Sequence, residues 1–196
     1  MPFDESKAKP RHAPLPSESD IAFYAAHTCR GLVEYETFLG FKRDDVINKK
    51  VLDLGSGPHG RFARELEVQY GEQVDVTSFD FIHSATRAGS ERSQKSVAGL
   101  FSQLPFKDNS FDMITSLYGF PFYSPTLEIS KKILRELIRI TKPKGTIVLW
   151  PVLEAFLSMA KDIVQDKATV SWEDTSDTFG NFPRGRVTIT KLPNVS

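Results

Sequence analysis

The residues with the clearest chemical meaning lie in one glycine-rich stretch. Residues 52–62 read LDLGSGPHGRF, a short apolar run followed by three glycines and the start of a helix-like pattern. Glycines allow a tight turn and let a ligand come close to the backbone, so this arrangement is typical of a nucleotide-binding loop. The spacing also satisfies G-x-G-x-x-G, the dinucleotide pattern, which does not by itself identify the nucleotide.

Two carboxylates near this loop narrow the choice of ligand. Asp53 precedes Gly55 by two residues, where its charge suits a ligand with a cation such as an amino group and repels a pyrophosphate. Asp80 ends a second apolar run, at the position from which a carboxylate accepts both ribose hydroxyls of an adenosine. Together they favour an adenosine ligand that carries an amino group.

Alternating strand and helix patterns form the frame around these residues. Strands are predicted at 50–54, 74–79, 96–100, 111–116, 145–152, 167–172 and 186–192. Helices are predicted at 18–39, 61–70, 126–141 and 153–166, with a weaker signal at 84–96. This order indicates an α/β fold with a parallel sheet covered on both faces, and the last two strands should pair antiparallel at one edge.

Composition excludes several classes of protein. A length of 196 residues suits one domain. Lys+Arg and Asp+Glu number 25 each, so the chain has no net charge that would attract nucleic acid or anionic lipid. A single cysteine, Cys29, excludes an internal disulfide framework and a cysteine-rich metal site, and we expect no metal. No apolar run matches a membrane span or a signal-peptide core, so a cytoplasmic location without membrane contact is expected.

Three segments resemble the class I S-adenosylmethionine-dependent methyltransferases, a Rossmann-like family. They are 51–57 (VLDLGSG), 104–112 (LPFKDNSFD) and 136–145 (ELIRITKPKG). The second is the most specific, because dinucleotide-binding folds have no counterpart to it before the fourth strand. The resemblance implies a Rossmann-like three-layer sandwich with a mostly parallel seven-stranded sheet and an antiparallel C-terminal edge hairpin.

The resemblance also suggests a division of the chain. Residues 1–17, rich in Pro, Lys and Ser, are interpreted as a flexible N-terminal arm. Residues 18–196 are expected to form a single domain, with 18–40 as an N-terminal lid helix and 45–192 as the core.

S-adenosylmethionine is the cofactor that the resemblance implies. In the family the glycine loop wraps the methionine part, an acid lies near the amino group, and the carboxylate after the second strand binds the ribose. The adenine lies between an aromatic residue and a following loop, and the end of the fourth strand faces the methyl group. The cofactor-binding set carried over by position is Asp53, Gly55, Ser56, Gly57, Asp80, Phe81, Ser102, Gln103 and Ser116.

Three positions depart from the family pattern. One of them, where 142–145 reads KPKG in place of the family's KPGG, is a turn change that we expect to be harmless. His59 stands where a third glycine is common, and Leu100 stands where an acidic residue often holds the adenine amino group. Adenine would then rely on backbone groups, or on Ser102 or Gln103. We expect the loop to keep its ligand, with the His59 ring pointing out of the loop or edging the methionine carboxylate.

No catalytic residue is carried over, because displacement from a sulfonium needs mainly orientation and desolvation. A general base is required only for an acceptor that is protonated at the working pH. The candidates are Tyr118, His83, His27, Tyr24 and Tyr123. The histidines have a structural alternative as packed or turn residues, and Tyr118 and Tyr123 have one as anchors of an aromatic loop.

The leading prediction is a methyltransferase that acts on a small-molecule or peptide-like acceptor. Nucleic acid is disfavoured as a substrate, since 116–119 (SLYG) lacks the [DNS]-P-P-[YFW] signature, and Lys131, Lys132, Arg135 and Arg139 are expected on the wet face of a helix. Two alternatives stay open. One is a methyltransferase-like fold with weak or no catalysis that serves as a binding or regulatory subunit, and the other is an NAD-binding oxidoreductase.

Overall fold

A seven-stranded sheet forms the middle layer of the molecule. The computed structural model describes residues 30–81, 95–122, 124–175 and 185–193. Within them the strands follow the order β3-β2-β1-β4-β5-β7-β6. They are β1 (Lys50–Leu54), β2 (Asp75–Asp80), β3 (Ser96–Ala98), β4 (Phe111–Leu117), β5 (Thr141–Val152), β6 (Ala168–Asp174) and β7 (Gly185–Lys191).

The pairing of the strands confirms the predicted sheet. The strands β1 to β5 pair in parallel, whereas β7 pairs antiparallel with both β5 and β6. The strand β7 therefore lies between β5 and β6, and the C-terminal hairpin forms one edge of the sheet. This is the α/β architecture with a mostly parallel sheet that the sequence predicts.

Helices cover both faces of the sheet. They are α1 (Leu32–Leu39), α2 (Arg43–Val46), α3 (Arg61–Tyr70), α4 (Leu127–Ile140) and α5 (Glu154–Val164). Successive strand residues point to opposite faces, so Val51 packs with α1, α2 and α3 while Leu52 packs with α4 and α5. Two apolar cores result, one on each side of the sheet.

The N-terminal helix differs from its prediction within the described residues. Instead of running continuously up to Leu39, α1 begins at Leu32, because Gly31 adopts an extended conformation (φ −105°, ψ −167°). The Glu65 carboxylate of α3 accepts a hydrogen bond from the Leu32 N–H at 2.6 Å and fixes this start. The predicted arm (1–17), the earlier part of the lid helix and the weak helix at 84–96 lie largely outside the described residues.

The side chain of Arg139 joins two of the segments that carry the family resemblance. Its guanidinium donates to the carbonyls of Leu104 (3.3 Å) and Phe106 (2.8 Å) and to the carboxylate of Asp108 (2.7 Å). It also pairs with Glu136 one turn earlier in α4. The expectation that Arg139 lies on the wet face of the helix is wrong: the residue anchors the LPFKD run to α4.

Candidate active site

A cavity of about 450 Å³ opens at the edge of the sheet where four parallel strands end. Gly55 follows β1, Asp80 ends β2, Gly99 follows β3 and Tyr118 follows β4, and all four residues line the cavity. Open parallel sheets bind their ligands at the carboxyl ends of the strands. The cavity therefore lies where this fold class places a ligand site.

The glycine loop uses its glycines at the positions that require them. Gly55, Gly57 and Gly60 have φ of 82°, 71° and 54°, a region that side chains rarely adopt. His59 has no such φ and is not one of the residues that line the cavity. The histidine thus stands at a position where this loop does not need a glycine.

Asp80 connects the loop to the second strand. Its Oδ2 accepts a hydrogen bond from the Gly57 N–H at 3.0 Å, and the Gly55 N–H donates to the Phe79 carbonyl at 2.8 Å. Asp80 is buried, yet it contributes to the cavity wall. A carboxylate fixed in this way presents a rigid acceptor to hydroxyl groups of a ligand.

Behind the loop, Asp53 is paired with a residue that the sequence analysis did not identify. The Tyr35 hydroxyl donates to Asp53 Oδ1 at 2.6 Å, and both side chains are buried. Within the described ranges the second oxygen, Oδ2, has no hydrogen-bond partner. Burial raises the pKa of the Asp53 carboxyl to about 7, the Tyr35 hydrogen bond opposes that rise, and the charge of Asp80 adds to it.

The opposite wall begins at Tyr118, which has an unusual backbone. Its φ is 57°, and its N–H donates to the Trp150 carbonyl at 2.7 Å. The Tyr118 and Trp150 rings meet edge to face with centroids 4.8 Å apart. A positive φ on an aromatic residue costs energy and persists only where its surroundings impose it.

Ser116 and Gly119 hold the loops after β1 and β4 against each other. The Ser116 hydroxyl donates to the Leu54 carbonyl at 2.8 Å and accepts from the Phe120 N–H at 2.8 Å. A Cβ added to Gly119 would lie 2.6 Å from Ser116 Oγ and 2.8 Å from the Leu54 carbonyl oxygen. The two loops therefore approach backbone to backbone beside the cavity.

Comparison with known proteins identifies the family. Residues 52–149 match the family model described as "Methyltransferase domain". The chain belongs to the class I S-adenosylmethionine-dependent methyltransferases. The match runs from β1 to β5 and contains most of the cavity wall, and S-adenosylmethionine is the cofactor of this family, as predicted.

Curated relatives match this chain over part of their length. The demethylmenaquinone methyltransferases of Paenarthrobacter aurescens and Corynebacterium glutamicum (strain R) are 33% identical over 108 residues and 30% identical over 143 residues. These alignments cover 54% and 64% of the chain but 40% and 58% of the relatives. The chain therefore spans about half the length of the curated relatives it matches.

Solved structures agree on the fold. A methyltransferase in complex with the Trm112 methyltransferase activator of Haloferax volcanii has a TM-score of 0.58 at 16% identity, covering 90% of this chain and 95% of that one. Human N-acetylserotonin methyltransferase, in complex with SAM, has a TM-score of 0.57 at 16% identity, covering 82% and 52%. At such low identity these neighbours show the fold alone. The comparisons lend no support to the regulatory-subunit and oxidoreductase alternatives.

Of the predicted cofactor-binding residues, the structure brings five to the cavity wall. They are Gly55, Gly57, Asp80, Phe81 and Ser102. The described wall does not include Asp53, Ser56, Gln103 or Ser116, and the Ser116 hydroxyl is engaged by the backbone. The roles assigned to all nine residues stay predictions.

The base candidates and the departures from the family pattern are placed as follows. Tyr118 lines the cavity, whereas His83, His27, Tyr24 and Tyr123 lie outside the described residues. Leu100 lines it with 62% of its surface exposed. Sequence analysis missed Arg30, which also lines the cavity, because no local pattern links it to β4.

The residues present fit S-adenosylmethionine. A buried carboxylate oxygen of Asp53 without a partner among the described residues suits an ammonium group nearby. The loop of small residues leaves room for a ligand against the backbone, and Asp80 offers oxygens for ribose hydroxyls.

No helix in the described part of the chain is both long and apolar enough to cross a bilayer.

Proposed function

We propose that the protein transfers a methyl group from S-adenosylmethionine to a small, largely apolar molecule. The observation that carries the proposal is the two-sided cavity. One side presents Gly55, Gly57 and Asp80, and the other presents Phe120, Ile129 and Ile133. An apolar recess next to a nucleotide-binding loop suits a donor and an acceptor held side by side.

For the donor, we assign roles to six residues of the chain. The backbone of Gly55 and Gly57 lies against the methionine part, with Asp53 as the partner of its ammonium group. Asp80 accepts the ribose hydroxyls, and Phe81 with Ser102 borders the adenine. When bound, S-adenosylmethionine supplies a methyl group that its sulfonium already activates.

For the acceptor, the chain contributes orientation and exclusion of water. Phe120, Ile129 and Ile133 give the far side of the cavity an apolar lining, which favours a ligand with an apolar body. The small-molecule acceptor in the names of the demethylmenaquinone relatives supports this choice. A peptide-like acceptor would need to extend beyond a cavity of about 450 Å³.

Calorimetric titration with S-adenosylhomocysteine and with NAD tests the donor assignment. We expect S-adenosylhomocysteine to bind and Asp80→Ala to weaken its binding at least about tenfold, since a charge-assisted hydrogen-bond pair is lost. Asp75→Ala is the matched control, because Asp75 begins the same strand far from the cavity and pairs with Lys95 at 2.7 Å. Binding of NAD with no response to S-adenosylhomocysteine would overturn the proposal.

A further inference from the structure

Tyr35 is a buried residue of α1 that contacts the carboxyl group behind the glycine loop. Its ring stacks on the ring of Phe62 in α3, with centroids 3.9 Å apart and planes 8° from parallel. Its hydroxyl donates to Asp53 Oδ1 at 2.6 Å. Tyr35 lies outside residues 52–149, the range that matches the family model. The contact therefore joins a residue from outside the matched domain to one inside it.

This hydrogen bond uses one of the two oxygens of Asp53. Oδ1 accepts from Tyr35, whereas Oδ2 is buried and has no hydrogen-bond partner among the described residues. A buried polar atom without a partner costs free energy, and a ligand that supplies the partner recovers it. Because the stacked ring and the hydrogen bond fix Tyr35, they also fix the carboxyl group, and Oδ2 is the oxygen that is left for a ligand.

Charged residues of the cavity wall influence this buried pair. Burial raises the pKa of both Tyr35 and Asp53, and the negative charge of Asp80, at the end of β2, adds to both rises. The positive charge of Arg30, which precedes α1, opposes the rise for Tyr35. Arg30 and Asp80 both line the cavity. The pair therefore lies close enough to the cavity to respond to a charge that is bound there.

We propose that Tyr35 is a positioning residue for the cofactor: it holds Asp53 so that Oδ2 receives the ammonium group, and this binding releases the carboxyl proton to the solvent. The inference rests on the proposed function, which brings the ammonium group to Asp53. Tyr35 adds control over the charge of that carboxyl. A hydroxyl that donates to a carboxylate stabilises its ionised form, so Tyr35 increases the fraction of Asp53 that is ready to receive a cation.

The protonation of Asp53 makes the affinity for the cofactor depend on pH. Burial raises the pKa of this carboxyl from 3.8 to about 7, and the Tyr35 hydrogen bond opposes that rise. Since an ammonium group binds the ionised form, the affinity of wild-type protein for S-adenosylhomocysteine should rise about tenfold as the pH increases from about 6 to about 8. Without the Tyr35 hydroxyl the pKa of Asp53 is higher, and the rise in affinity moves to higher pH.

Calorimetric titrations of wild-type protein and Tyr35→Phe over this pH range test the inference. The probes are S-adenosylhomocysteine and 5′-methylthioadenosine, which keeps the nucleoside and lacks the amino-acid part. Tyr35→Phe should weaken S-adenosylhomocysteine roughly threefold to tenfold near neutral pH and leave methylthioadenosine unchanged at every pH. Titrations in two buffers of different ionisation enthalpy measure the released proton, which should accompany S-adenosylhomocysteine and not methylthioadenosine.

Three further variants serve as controls. Tyr70→Phe is matched, because it removes a hydroxyl that accepts from Gln69 Nε2 at 2.9 Å on the exposed surface of α3, and it should change neither probe. Asp53→Asn should flatten the pH profile, and Tyr35→Phe added to it should no longer change the pH dependence. His59→Gln removes the titratable side chain of the loop after β1, and the pH profile should survive it.

The outcomes separate the inference from the proposed function. Wild-type protein that binds neither probe overturns the proposed function and the inference with it. Wild-type protein that binds S-adenosylhomocysteine without releasing a proton, or with the same pH profile as Tyr35→Phe, overturns the inference alone. A purely structural role of Tyr35 predicts lower thermal stability and an equal loss of affinity for both probes, and that result also rejects the inference.

Discussion

At the scale of single residues, Asp53 is a carboxyl group whose ionisation the fold opposes. Burial raises its pKa from 3.8 to about 7. The native state then binds more protons than the unfolded state between those values, so stability falls as the pH rises through this window. A shift of this size corresponds to roughly 4 kcal/mol at pH values above it.

Asp53→Asn should remove this pH dependence. The amide oxygen can still accept from Tyr35, and the side chain no longer ionises. The free energy of unfolding, from urea titrations at pH 5 and pH 8, should fall more steeply for wild type than for the variant. The other titrating groups are shared and cancel in the difference, so parallel pH curves would contradict the assignment.

Gly119 tests the close approach of the two loops. Gly119→Ala places a Cβ against the Ser116 hydroxyl and the Leu54 carbonyl, and the backbone has to move. We expect a loss of about 1–3 kcal/mol, as for overpacking, and weaker binding of S-adenosylhomocysteine because Gly55 moves too. Both are measured by chemical unfolding and calorimetry.

Gly71→Ala is the control for that substitution. Gly71 has φ of 58° and nothing within 4 Å of an added Cβ, so Gly71→Ala carries a backbone cost without a steric clash. Gly119 has no positive φ, so Gly119→Ala carries the clash without that backbone cost. With ψ of −132° the Gly71 backbone lies outside the left-handed helical region, so the cost is about 1–3 kcal/mol, and ligand affinity should be unchanged. Equal effects of the two variants on affinity would show that the contact of the loops is unimportant for the site.

At the scale of elements, residues 104–108 (LPFKD) are held against helix α4 by the side chain of Arg139. Arg139 binds two backbone carbonyls of this run and two carboxylates, which fixes the segment before β4 to helix α4. Arg139→Lys keeps the charge but loses the planar fork of donors, so it should cost about 1–3 kcal/mol of stability. Arg135→Lys, one turn earlier on the exposed surface of α4, should stay within about 0.5 kcal/mol.

Thermal and urea unfolding of both variants decide this point. The Arg139 variant should lower the midpoint clearly and the Arg135 variant hardly at all. If both variants keep wild-type stability, the contacts of Arg139 with residues 104–108 do not stabilise the fold, and the prediction is wrong.

At the scale of the whole molecule, the features that the sequence predicts correctly are those encoded by residues close together in the chain. Strands and helices follow from apolar periodicity, and Thr126 caps α4, its hydroxyl accepting from the Ile129 N–H at 3.2 Å. Ligand sites of parallel sheets lie at the carboxyl ends of the strands. Because Asp80 ends β2, its position at the cavity could be predicted from the sequence. These features depend on neighbours in the chain.

Contacts between distant parts of the chain explain what the sequence missed. The start of α1 depends on Glu65, a residue of α3. Tyr35 meets Asp53, and Arg30 meets Tyr118, only because α1 packs near the ends of β1 and β4. The spacing of residues within one segment does not reveal such pairs. The start of α1 at Leu32 and the position of Arg30 at the cavity could therefore be seen only in the structure.

Because the cavity is assembled from loops that follow four strands, one ligand should protect them together. Hydrogen exchange with saturating S-adenosylhomocysteine should slow in residues 55–60, 99–102 and 118–120, and in α1 through Tyr35. At short labelling times β6 and β7, at the far edge of the sheet, should be unchanged. Asp80→Ala should reduce the protection in all these segments together, because it weakens the binding of the ligand that they share. Protection limited to the loop after β1 would contradict a shared site.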